Sequence, residues 1–184
     1  MTDLSRRHFL RGTAAGAAAA GLCAVSTGAA ALTPAVPRKW DETVDLLIIG
    51  TGFAGLAGAI EGHEKGIKSI LVVDKMAFPG GNSAINGGAV AAAGTDMQKK
   101  AGIKDSADLL YSDIMRAGGG LAHPDLARHI ADESVENFYW LRDKIGVKFE
   151  AVTYHGGHSV KRSHAVTSHR GDGFIIPMLE KCEK

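Results

Sequence analysis

What the 184-residue chain lacks narrows the field first. It has two cysteines, Cys23 and Cys182, far apart in the sequence, which leaves no disulfide framework and no paired-cysteine zinc site. It contains no Cys-x-x-Cys-His, so a covalently attached haem has no anchor in this chain and any haem partner is a separate protein. Neither sign of charge is in large excess: the formal net charge is +1, with lysine and arginine interspersed among aspartate and glutamate. A basic stripe able to neutralise phosphates along a groove is missing, which excludes nucleic acid as a partner and argues against binding to a membrane surface. Long runs of leucine, isoleucine or valine are missing too. The length suits one domain of ordinary size and is too short for the separate cofactor and substrate domains of a large enzyme.

What is there begins with an address. Ser5-Arg6-Arg7-His8-Phe9-Leu10-Arg11 is a cationic stretch with a consecutive arginine pair, and a run of alanine and glycine follows from Thr13 to Ala31. Arginine pair, apolar run and small-residue cleavage site stand in the order of a twin-arginine signal peptide. A run made of alanine and glycine is too weakly apolar for a permanent bilayer anchor. Residues 1–31 therefore read as a signal taken by the twin-arginine translocase to the periplasm. Residues 32–44, with Pro34 and Pro37, read as a linker, and 45–184 as the folded part. That route carries proteins already folded, commonly with a cofactor loaded, so the signal itself anticipates a cofactor.

The second motif supplies one. Asp45-Leu46-Leu47-Ile48-Ile49 is a short apolar run of the kind a parallel strand buried on both faces requires. It runs into Gly50-Thr51-Gly52-Phe53-Ala54-Gly55, then into Leu56, Ala59 and Ile60 at helical spacing, with Gly66 as the stop. A second apolar run, Ile70-Leu71-Val72-Val73, ends at Asp74. Strand, glycines, helix, strand and acid within about thirty residues form a dinucleotide-binding fingerprint. Gly50 makes the tight turn, Gly52 lets the backbone approach the pyrophosphate and Gly55 lets the helix pack on the strand. Asp74 accepts hydrogen bonds from ribose hydroxyls, and the helix N-terminus receives the phosphates. This unit alone does not separate FAD from NAD.

Immediately downstream the chain reads Asp74-Lys75, then Gly80-Gly81-Asn82-Ser83, then Gly87-Gly88. An acid–lysine pair, a Gly-Gly-Asn-Ser turn and a Gly-Gly pair at this spacing resemble the second FAD motif of the fumarate reductase and flavocytochrome c flavoprotein family. The resemblance implies an α/β fold, a Rossmann-like FAD-binding domain with a parallel sheet, incomplete in this chain. It implies that Gly50, Gly52, Ala54, Gly55, Asp74, Lys75, Gly81, Asn82, Ser83, Gly87 and Gly88 bind the cofactor, with the side-chain-free backbone at Gly80, Gly81, Gly87 and Gly88 lying against the isoalloxazine and pyrophosphate and Asn82 and Ser83 supplying hydrogen bonds. Gly81 stands where respiratory-complex members of the wider family carry a histidine bonded to the flavin, which implies non-covalent FAD.

The likeness continues to about Gly173. Asp105-Ser106 caps a helix through Arg116, and Pro124 opens an amphipathic helix carrying Leu126, Ile130, Phe138, Leu141 and Ile145 as core, with Gly146 as its stop. Trp140 reads as packing. Arg162 and His164 match the family's loop ending in Arg-x-His, although Ala165-Val166 stand where the family has Arg-Pro. His155 stands where fumarate reductases have methionine, and two readings remain for it: a hydrogen bond to a more polar substrate, or a solvated loop residue. A metal site from His155, His158, His164 and His169 is the weaker reading of these histidines, because their spacing matches no familiar ligand pattern. Phe174 to Lys184 starts a helix with Pro177 in or near its first turn.

For the whole enzyme the resemblance implies reduction of an activated carbon–carbon double bond in a small enoate-type substrate. Electrons then come from a separate cytochrome or quinol-linked carrier. The family's capping domain, its catalytic residues and the strand completing its FAD domain are expected beyond Lys184, so no catalytic residue is assigned here. Alternatives are a urocanate reductase, a ketosteroid dehydrogenase, or a flavin-binding electron-transfer subunit without its own catalysis.

Overall fold

The two apolar runs read as strands pair side by side in the computed structural model of the chain, which describes residues 39–183. The signal-peptide reading and most of the linker lie outside the described residues. Strand β1 (Leu46–Ile49) runs parallel to β2 (Ile70–Val73), with Leu46 opposite Ile70 and Ile49 opposite Val73. A parallel pair needs a crossover, and helix α1 (Phe53–Glu64) supplies it, ending just before Gly66 at φ +96°.

Helix α2 (Gly81–Ile85), strand β3 (Ala89–Ala91), α3 (Asp96–Lys100), α4 (Ala107–Ala117) and α5 (Pro124–Tyr139) follow. A π-helical turn (Trp140–Ile145), β4 (Phe149–Thr153), β5 (Ser163–Val166) and α6 (Asp172–Cys182) complete the order. The last three strands form an antiparallel sheet in the order β3-β5-β4. Local chemistry starts and stops these elements as expected. The Ser106 hydroxyl accepts the Leu109 N–H at 3.2 Å to open α4, Pro124 stands at the first turn of α5, and Gly146 closes the π-turn at φ +92°. Thr95 and Gln98 form a reciprocal capping box that opens α3, a helix the sequence reading did not include.

The main core lies where α1, the π-turn, β5 and α6 meet, around Leu56, Ile60, Leu141, Val166, Phe174 and Met178. Each such side chain contributes about 1.5–3 kcal/mol by leaving water. Trp140 is half-buried beside this core, and its Nε1–H donates to Glu61 Oε1 at 3.1 Å, tying the π-turn to α1.

Three expectations need correcting. Strand β1 is half-buried on one face and exposed on the other: Ile49 is 83% exposed and Leu47 53%. The covered side of the strand meets α1, and among the described residues nothing packs on the other. Helix α5 turns Ala127, Ala131, Ser134 and Phe138 inward, so Leu126 (61% exposed) and Ile130 (59%) face solvent instead of the core. The inward stripe falls one residue later than the larger apolar side chains suggest, because small residues are needed where α5 packs on α4. Pro177 lies in the second turn of α6, past its first. No helix among the described residues is long and apolar enough to cross a membrane.

Candidate functional site

Strand β1 ends at Ile49 and the chain turns at Gly50, whose φ of +106° suits glycine alone. The Gly50 N–H donates to the Val73 carbonyl at 2.7 Å and ties the tips of the two strands together. Gly55 lies so close beneath this turn that a β-carbon would overlap the Gly50 carbonyl oxygen. Helix α1 starts at Gly52 with no side-chain cap and no acidic residue in its first turn. No acidic side chain of its own first turn offsets its positive end, which favours an anion such as a pyrophosphate there. The Phe53 N–H is met by Ser83 Oγ at 3.2 Å, so the second glycine turn folds back over the helix N-terminus. A β-carbon on Gly52 would stand 3.2 Å from that hydroxyl, and the space is left to the backbone.

Asp74 sits beside this turn at the tip of β2. Its Oδ2 accepts the Thr51 hydroxyl at 2.5 Å and the Thr51 N–H at 2.8 Å, while Oδ1 accepts the Met76 N–H at 2.9 Å. The Thr51 hydroxyl, then the Met76 and Thr51 amides, hold the Asp74 carboxyl down at about 2. The carboxylate is exposed, and a carboxylate has about four lone-pair sites, so acceptor capacity remains for a ribose hydroxyl. The Thr51 hydroxyl also accepts the Gly80 N–H at 2.9 Å. Asn86 braces the far end of the second turn: its Nδ2 donates to the Ser83 carbonyl at 2.6 Å and its Oδ1 accepts the Gly88 N–H at 2.8 Å.

Gly50, Gly52, Gly55, Asp74 and Ser83 are thus brought together as one rim. Ala54, Lys75 and Asn82 are exposed along it. The remaining glycines divide into two kinds. Gly81 and Gly87 have no atom within 4 Å of where a β-carbon would stand, so their bare backbone faces open space. At Gly88 a β-carbon would run into the backbone of His169 and Arg170, and at Gly80 it would meet Ala84 and Ile175. Their missing side chains admit neighbouring protein. Thr51 and Asn86 escaped the sequence reading. Thr51 occupies the variable place between two glycines, where its hydroxyl opposite an acid was the only signal, and Asn86 looks like an ordinary turn residue.

The histidine-rich tail does not join this rim. His164 is buried, with Nε2 2.8 Å from Thr95 Oγ1 and its ring 4.4 Å from that of Phe138; burial pushes its pKa below the ordinary value. Arg162 is fully buried, with Nη2 2.9 Å from Asp105 Oδ1 and Nη1 3.0 Å from Asp113 Oδ2. The second is a charge contact without hydrogen-bond alignment. His155 is exposed on the loop between β4 and β5, and His169 pairs with Glu150 at 2.8 Å. Among the described residues no three histidine, cysteine or acidic side chains gather as metal ligands.

The rim fits FAD: a helix N-terminus with no acid in its first turn for the pyrophosphate, an anchored carboxylate for a ribose, and bare backbone at Gly81 and Gly87 where a flat group can lie. Comparison with known proteins agrees. Residues 3–22 match the TAT (twin-arginine translocation) pathway signal sequence, which sends the protein to the periplasm. The acrylate reductase flavoprotein subunit of Shewanella woodyi is 43% identical over 181 residues, covering 98% of this chain and 35% of that protein. The fumarate reductase (cytochrome) of Shewanella frigidimarina is 35% identical over 132 residues, covering 72% of this chain and 23% of that protein. The open conformation of a flavocytochrome c3 fumarate reductase superposes with a TM-score of 0.72 at 28% identity, covering 78% of this chain and 25% of that one. The chain therefore spans about a third or less of the length of these relatives. With residues 45–184 matching the FAD binding domain, the chain belongs to that FAD-binding flavoprotein family, alongside the fumarate and acrylate reductases.

Proposed function

We propose that this chain is the FAD-binding portion of a periplasmic oxidoreductase that reduces the carbon–carbon double bond of a small enoate. The observation that carries the reading is the 43% identity to an acrylate reductase flavoprotein subunit across 98% of the chain. Bound FAD supplies a hydride from flavin N5 to one carbon of the double bond while an acid protonates its neighbour.

The chain's own residues bind and orient. Gly50, Gly52, Ala54 and Gly55, with the N–H groups opening α1, hold the pyrophosphate, whose negative charge the helix end favours. Asp74 takes a ribose hydroxyl, with Lys75 beside it. Gly81, Asn82, Ser83, Gly87 and Gly88 border the flavin end. Gly81 offers no side chain that can bond to the flavin, so FAD is held non-covalently. The signal occupies residues 1–31 and the linker 32–44. No catalytic residue is assigned within the chain, and electrons arrive from a separate cytochrome or a quinol-linked carrier.

The test uses the full-length gene product purified from the periplasm, with reduced methyl viologen as donor and acrylate, fumarate or urocanate as acceptor, and in a separate assay a 3-ketosteroid as donor with an oxidised dye as acceptor. Enoate-dependent oxidation of the dye is the expected result. Turnover of the steroid alone transfers the chain to the ketosteroid dehydrogenases. Bound flavin with no turnover in either assay makes it an electron-transfer subunit.

A further inference from the structure

We infer that Thr51 is a positioning residue for FAD: its hydroxyl fixes the Asp74 carboxylate and the start of the second glycine turn in one geometry before the nucleotide arrives. The inference rests on the reading of Asp74 as the ribose acceptor and adds the residue that aims it. Thr51 is 9% exposed, and both capacities of its hydroxyl are in use, one proton donated and one lone-pair site filled. The proton goes to Asp74, 23 residues away, at 2.5 Å, and the lone pair takes the Gly80 N–H, 29 residues away, at 2.9 Å.

Asp74 is an exposed side chain at a strand tip, so without these bonds its carboxylate samples several rotamers. The Thr51 N–H and the Met76 N–H complete the set that fixes both oxygens. Gly80 in turn is the N-cap of α2, with φ +97°, and α2 carries Ser83, whose hydroxyl reaches back to the Phe53 N–H at 3.2 Å. One hydroxyl therefore joins the tip of β2, the turn after β1 and the segment bordering the flavin end. Every one of these bonds is between protein groups, so folding itself sets the geometry of the rim and lowers the conformational cost of binding FAD.

Valine at position 51 keeps the shape and removes both bonds, alanine removes the bulk as well, and serine keeps the hydroxyl. The full-length protein is stripped of FAD and retitrated, with flavin fluorescence quenching as the readout. T51V and T51A are made side by side, so the result does not hang on either one folding. Each is expected to weaken FAD binding by about tenfold to hundredfold, the range for losing a hydrogen bond to a charged group. T51S should stay within about threefold of the wild type. On a D74A background the same substitutions should cost less than about fivefold, since only the bond from Gly80 is left to lose. An equal cost with and without Asp74 overturns the inference and leaves the ribose reading standing. Unchanged affinity in D74A alone overturns the ribose reading, and the inference with it.

Discussion

From β1 to α2 the chain is glycine-rich, and several of its apolar side chains face solvent; from α3 to β5 it closes around buried charge. In the first region Ile49, Leu47, Phe78 and Ile85 are exposed, and order comes from backbone turns and the bonds around Thr51. In the second, Arg162 sits fully buried between Asp105 and Asp113, and His164 is enclosed against Phe138 and Thr95. The difference teaches where each kind of information resides. A ligand cradle needs particular residue types at fixed local spacing, whereas a buried ion cluster needs only that the fold bring distant residues together.

The sharpest break of the second region alone is Arg162→Met. It leaves the buried Asp105 carboxylate with no charged partner among the described residues and Asp113 with Arg116 alone, and should cost about 3–5 kcal/mol, read by urea unfolding of the full-length protein. Replacing Asp105 and Asp113 with apolar residues in the same variant should recover much of that loss, because it removes the stranded charges. Gly55→Ala attacks the first region. Its β-carbon overlaps the Gly50 carbonyl, and the backbone shift should cost about 1–3 kcal/mol together with weakened FAD binding, seen by flavin titration.

A smaller effect separates the regions by pH. Burial lowers the pKa of His164 beneath the ordinary 6.5. As pH falls through 6.5 the unfolded chain takes up a proton that the folded chain refuses, so stability is full above that value and declines below it. His164→Asn should flatten this decline without abolishing it, because burial lowers His158 in the same direction; unfolding midpoints between pH 7.5 and 5 measure the difference. The pKa of Asp74 is lowered too, so its effect has the same sign but a lower range. Its contribution is present above the unfolded carboxylate value and is lost only as pH approaches about 2, so it leaves that window untouched. The smallest effect belongs to Leu126→Ser and Ile130→Ser, each within about 0.5 kcal/mol, since both side chains face solvent in the described residues.

The same contrast explains what could be read in advance. The β1–α1–β2 unit, its glycines and the Gly66 stop were legible because each local geometry demands its residue type. The caps at Ser106 and Pro124 were legible for the same reason. The Arg162–Asp105 pair spans 57 residues, and Asp105, next to a capping serine, carries no sign of its distant partner. Leu126 and Ile130 misled because hydrophobic periodicity weighs side-chain size, whereas packing on α4 required Ala127 and Ala131. A sequence does not say whether the space beside a glycine belongs to a ligand or to another stretch of backbone: Gly80 and Gly88 lie against protein, whereas Gly81 and Gly87 face open space.

The central claim is that the turn at Gly50–Gly55 and the turn at Gly80–Gly88 form one FAD site. The direct measurement is acid precipitation of the purified full-length protein, with the flavin in the supernatant identified and counted. The account predicts one FAD per chain, released intact, and none from a Gly52→Val variant. A colourless protein that takes up no FAD when supplied, or a Gly52→Val variant that keeps a full complement, would contradict it.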